Sequence, residues 1–256
     1  SFPLSFSAFL ILGFPKTPII YSIAAFFAGV FLLLCLLCYL KALSMEEASR
    51  VVPLWHLTPI FTLILAVIFL GEVLKPLHYL AFFAILVGGF LISVKKIQSV
   101  FSLSTALLIM VLSSFFAAIS DVLLKFAHEA NSVWQIFALF YFASSLTSAF
   151  LFLSKKNRDH AFNSWKKHRI TLGLIASFSV IMGFIGYLLW NFAVLEGPIS
   201  ILTVFVGFQS LFVLIVATIL SYFFPKYIKE EIDMKTIGMK LLAIALMLVG
   251  LALLSF

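Results

Sequence analysis

The sequence predicts an all-α polytopic membrane protein, and three observations carry that reading. Of 256 residues, 64% are hydrophobic and 11% charged, where soluble domains run at about 45–50% and about 25%. So few polar side chains cannot cover a water-facing surface, which excludes a soluble fold, a disordered chain and a secreted disulfide scaffold. The apolar residues also come in runs near the length of about 20 that a helix needs to cross a bilayer. Finally, the 17 Lys and Arg outnumber the 10 Asp and Glu but sit in short segments between the runs. That is the pattern of cytoplasmic loops, not of a nucleic-acid patch.

Taken in order, the run 2–14 comes first, bounded by Pro15 and Lys16. The next, 18–40, holds Cys35 and Cys38. No second ligand pair and no nearby charge accompany this C-x-x-C, so the thiols read as small apolar groups rather than a redox or zinc site. The run 51–71 contains Pro53, His56 and Pro59 three residues apart, so its helix should be distorted and backbone carbonyls freed. Runs 78–94, 104–127, 133–153, 170–195, 199–224 and 236–255 complete nine predicted spans. No charged n-region with a small-residue cleavage site marks a signal peptide.

If every run crosses, loops 41–50, 95–103, 154–169 and 225–240 share one side. They carry all the basic residues except Lys16, Lys75 and Lys125. The positive-inside rule places these loops in the cytoplasm, with 155–169 the largest hydrophilic segment. A multi-pass protein of the cell (inner) membrane follows.

The chain also resembles itself. A shift of 151 residues, with no gap, aligns 42–70 onto 193–221 and matches Ala42 with Ala193, Ser49 with Ser200, Phe61 with Phe212 and Ala66 with Ala217. Further on, AILVGG at 84–89 matches LMLVGL at 246–251 after an eleven-residue insertion. The second copy has five spans and the first shows four. Tandem copies with an odd number of spans cross in opposite senses, the inverted repeat common in transporters. By this logic about 30 residues holding one more span should precede Ser1.

The stretch YLKALSMEEASRVVPLWHLTPIFTLILAVIFLGEVL, with Ala42-Leu43, Pro59 and Leu70-Gly71-Glu72, resembles the fourth-span signature of the EamA domain in the drug/metabolite transporter superfamily. LLAIALMLVGLALL resembles that family's tenth span. The resemblance implies two five-helix EamA units, residues 1–97 lacking the first helix and 98–256. Ten helices would be present in the full protein and nine here. It also implies transport of small metabolites such as amino acids, sugars or drugs. Pro59, Gly71 and Glu72 carry the signature, while Ser221 and Tyr222 depart from it in the second copy.

Ionisable groups inside spans are expensive and are functional candidates. Asp121 and Lys125 are one turn apart, a spacing that allows an ion pair. They read either as a cavity pair or as charges reaching the interface. His56 can meet a substrate, carry a proton or bond a freed carbonyl. Gln209, aligned with Thr58, is an isolated amide in mid-span. Gly183, Gly186, Tyr187, Trp190 and Asn191 share a face that serves either close helix packing with an aromatic, hydrogen-bonding wall or an interfacial girdle. Tyr141, Ser144, Ser145 and Ser148 form a stripe that reads as helix packing, and Glu72 as a cap on a neighbouring helix or a partner of Lys75. The candidate substrate cavity therefore comprises His56, Thr58, Asp121, Lys125, Tyr187, Trp190, Asn191 and Gln209. No Walker sequence, H-E-x-x-H or G-x-S-x-G occurs, so neither enzyme chemistry, cofactor nor metal is expected. The partners expected are a small-molecule substrate and the lipid bilayer, with proton or other ion coupling. Secondary-active transport, in the export direction, is the leading reading. A flippase of lipid-linked substrates is the alternative.

Overall fold

Stretches poor in charge and free of Pro beyond the first turn wind into helices that satisfy their own backbone groups, as hydrocarbon requires. The computed structural model describes residues 18–46, 51–93, 105–151, 169–209 and 234–253, with isolated positions between 153 and 165 and Phe212. The first predicted run, 2–14, and the end of the run 199–224 lie outside the described residues.

Within them the protein is all-helical. Its helices are α1 (Ile19–Leu43), a 3₁₀ segment (Val52–Leu57), α2 (Thr58–Leu70), α3 (Pro76–Ser93), α4 (Thr105–Ala127), α5 (Val133–Leu151), α6 (Arg169–Glu196), α7 (Ile199–Val204) and α8 (Met234–Leu253). Among the described residues, four stretches are long and apolar enough to cross a membrane: Ile19–Leu43, Thr105–Ala127, Val133–Phe150 and Ser177–Glu196. Shorter apolar helices cover Leu54–Leu70, Pro76–Leu91, Ile199–Gln209 and Leu241–Leu253.

The chain divides into two units. The first comprises Ser1–Leu34 with Ile119–Gly197, the second Cys35–Ala118 with Pro198–Phe256.

In the first unit, α1 meets α5 at Gly29. A Cβ there would run into the Phe140 carbonyl oxygen, so only glycine lets the backbones approach this closely. Ser144 on α5 fixes the contact by donating to the Gly29 carbonyl at 3.0 Å. Ser120 on α4 does the same to Ala28 at 2.9 Å. Gly183 and Gly186 are different: a Cβ at either would meet nothing within 4 Å. Their expected role in close packing falls instead to Gly29, within the small-residue stretch of α1.

In the second unit, α3 packs on α8 through glycines that answer each other. A Cβ on Gly88 would lie 2.5 Å from Met247 Cγ and 2.7 Å from the Ala243 carbonyl oxygen. One on Gly250 would lie 2.6 Å from Ile85 Cγ1 and 2.9 Å from the Ala81 carbonyl oxygen. Partners fall from 250 to 243 as α3 rises from 81 to 88, so the two helices run antiparallel. Phe82, Ile85, Val204 and Met247 form the buried core around this crossing. Serines again bridge the helices: Ser113 donates to the Cys35 carbonyl at 2.7 Å and Ser114 to that of Leu54 at 3.0 Å. Neither thiol is in a disulfide, and the buried Cys35 Sγ lies 3.5 Å from Ser113 Oγ.

Candidate functional site

The prolines of 51–59 act as the sequence predicts. The segment Val52–Leu57 is wound as a 3₁₀ helix, and α-helix resumes at Thr58 with Pro59 in its first turn, where a missing amide costs nothing. In the aligned stretch α7 stops at Val204. The amides of Phe205, Val206, Phe208 and Gln209 then donate three residues back, to Leu202, Thr203, Phe205 and Val206, at 3.0–3.1 Å. Both stretches thus leave α-helical winding at positions 151 residues apart.

The two interruptions meet on α3. A Cβ on Gly89 would lie 2.9 Å from His56 Cε1 and 2.9 Å from Gly207 Cα. His56 and the residue aligned with it therefore touch one glycine. His56 is buried, as are Thr58 and Thr62, one turn apart on α2. Neither threonine hydroxyl has a hydrogen-bond partner among the described residues. Gln209 lies in the same unit but is exposed.

At the end of α2, Gly71 adopts the left-handed conformation (φ 65°) that glycine alone takes without strain. The turn aims Glu72 at the start of α7. Its carboxylate accepts from the Ile199 amide at 2.7 Å, the Ser200 amide at 3.2 Å and the Ser200 hydroxyl. A negative group belongs there, because first-turn amides have no partner within the helix. Of the two roles open to Glu72, the cap is the one with geometry behind it.

In the first unit a second polar cluster surrounds α4. Lys125 Nζ donates to the carbonyls of Val194 at 2.6 Å and Gly197 at 2.8 Å, closing the last turn of α6. The ammonium is thereby directed at backbone, while Trp190 lies within reach of the Asp121 carboxyl. Tyr187 lies within electrostatic reach of Asp121. It stacks on Phe140 at 4.1 Å between centroids and meets Tyr141 edge-on at 5.7 Å. Asn191 Nδ2 donates to the Tyr187 carbonyl at 2.8 Å, which identifies the remaining amide atom as Oδ1. That oxygen, the Tyr187 hydroxyl and both His128 nitrogens have no hydrogen-bond partner of ordinary geometry among the described residues. Asn191 is nonetheless close enough to influence both His128 and Tyr187.

Asp121, Lys125, Tyr187, Trp190 and Asn191 are thus brought together in the first unit, whereas His56, Thr58 and Gln209 belong to the second. Sequence reasoning missed His128, just past α4. Burial, reinforced by the Lys125 charge and opposed by Asn191, holds its pKa down at about 4. The signal was its spacing, since 121, 125 and 128 continue one helical stripe.

The model of the EamA-like transporter family matches residues 1–94. The matched segment spans the described elements α1 to α3, with His56, Thr58, Pro59, Gly71 and Glu72, a likeness consistent with the drug/metabolite transporter superfamily. With its apolar helices, the protein is a multi-pass membrane protein. Nothing among the curated proteins matches the chain. Eleven solved chains match it. One, titled "Crystal structure of protein", aligns with 98% of this chain and 89% of its own, with a TM-score of 0.58 at 14% identity. At that identity the likeness is one of fold.

Proposed function

We propose that the chain is a secondary-active exporter of small metabolites that works by alternating access, with proton or other ion coupling. In this reading residues 1–97 and 98–256 are two inverted EamA repeats. Loop 154–169 faces the cytoplasm from the inner membrane. The observation that carries it is the paired interruption of α-helical winding at 52–57 and at 205–206, which aligns with 54–55. Irregular backbone at membrane depth is tolerated where it is buried in protein or lines a cavity, and interrupted helices at matching positions of two halves mark transporter sites. The reciprocal contacts of Gly88 and Gly250 support the repeat. Gly88, Ala81 and Ile85 correspond to Gly250, Ala243 and Met247 in the AILVGG alignment, and each glycine touches the other copy's pair.

The groups proposed to meet solute are His56, Thr58 and Gln209 in the second unit and Asp121, Lys125, Tyr187, Trp190 and Asn191 in the first. Thr58→Val tests the reading. It keeps the shape and removes a buried hydroxyl that has no partner, so melting should hold or rise slightly. Transport of water-soluble metabolites in proteoliposomes should fall about tenfold, the effect of about 1.4 kcal/mol. Unchanged transport removes Thr58 from the path, and activity confined to lipid-linked substrates overturns the reading.

A further inference from the structure

We propose that Asp121, Trp190, Tyr187 and Asn191 form a binding site for an organic ammonium ion, a protonated amine with an aromatic or apolar body. The inference rests on the transport reading and names the class of solute for the cluster in the first unit.

Three observations converge on it. Asp121 is an acid in a helix long and apolar enough to cross a membrane, and the uncharged Trp190 indole is the donor within reach of it. The cation one turn away, Lys125, is occupied by the Val194 and Gly197 carbonyls at 2.6 and 2.8 Å. A carboxylate inside such a helix calls for a positive partner, and among the described residues no cation is paired with it.

The unmet atoms nearby are acceptors or can act as acceptors. Asn191 is 0% exposed, its amide nitrogen is used, and Oδ1 has no partner of ordinary geometry among the described residues. The same holds for the Tyr187 hydroxyl. An ammonium brings up to three donors and a charge to these oxygens. A carboxylate solute would set acceptor against acceptor and charge against charge. A sugar would satisfy the oxygens and leave Asp121 unopposed.

The third observation is aromatic. Phe137, Phe140, Tyr141, Phe184 and Tyr187 form a connected set, with centroids 4.1–6.4 Å apart. Ring faces attract cations and accept an apolar body. His128 does not compete, because burial keeps its imidazole neutral at physiological pH.

Tryptamine, indole-3-ethanol and indole-3-acetate share one ring and differ in charge. With the purified full chain in detergent, tryptamine should raise the melting temperature saturably by about 5 °C or more at a large excess over its Kd. The neutral and anionic analogues should not. Asp121→Asn should melt at or above the parent temperature and bind tryptamine at least tenfold more weakly. Tyr187→Phe, which keeps the ring on Phe140, should weaken binding severalfold. No shift with tryptamine, equal shifts for all three indoles, or full affinity in both variants overturns the proposal. Transport assays in proteoliposomes separate the two readings. Tryptamine binding without transport of any solute sinks the transporter and leaves the site. Transport of other solutes without a tryptamine shift sinks the site alone.

Discussion

Single residues here act mainly by satisfying backbone that hydrocarbon would otherwise leave bare. Glu72 closes the first turn of α7 with three accepted bonds. Because bonds to a charged acceptor contribute about 1.5–3 kcal/mol, Glu72→Ala should cost about 2 kcal/mol. Glu72→Gln, retaining one acceptor oxygen, should melt between the two. Equal melting of all three proteins would remove the cap from the stability of the second unit. His128 makes a different prediction. Its folded pKa, near 4, lies below the unfolded value of about 6.5, so the unfolded chain binds more protons between those values. The protein should therefore lose stability as pH falls from about 6.5 towards 4. His128→Gln should flatten that part of the melting-against-pH profile, and an unaltered profile would assign the acid lability elsewhere. The cap by Glu72 was half legible from its place after Gly71. The targets of Lys125 were not, because Val194 and Gly197 lie 69 and 72 residues away in sequence and spacing along one helix says nothing of them.

Helices and their crossings were the most legible level. Length and hydropathy are local properties, so runs such as 104–127 and 133–153 reappear as α4 and α5 within a few residues. Which glycines bring helices together depends on a partner, and sequence spacing chose Gly183 and Gly186 where the structure uses Gly29, Gly88 and Gly250. The difference is measurable. Gly29→Ala must displace the Phe140 carbonyl and should cost about 1–3 kcal/mol. Gly183→Ala enters open space and should hold or raise stability, by up to about 1 kcal/mol from helix propensity. Thermal denaturation of both variants in one detergent decides the ranking, and equal losses would contradict these crossings.

For the whole molecule, membrane residence was legible because composition is a bulk property. Orientation rests on the basic loops. A cysteine at Asn163 should be shielded from an impermeant thiol reagent applied to intact cells, and one at Gly197 labelled. The two native thiols are first replaced by Ser or Ala, since Cys35 is buried but Cys38 only half so. The opposite labelling pattern would invert the protein in its membrane. The candidate site was legible only as residue types. That Asp121 and Trp190 share one unit while His56 and Thr58 share the other follows from packing between helices far apart in the chain.

The 3₁₀ windings have a mechanical consequence. A 3₁₀ helix rises about 2.0 Å and turns about 120° per residue, against about 1.5 Å and about 100° for an α-helix. Rewinding the six residues Val52–Leu57 as α-helix would draw Thr58 inward by about 3 Å and rotate it by about 120°. The segment is a screw with two thread pitches. A small change of hydrogen-bond register can therefore turn a whole face of side chains away from one neighbour and towards another.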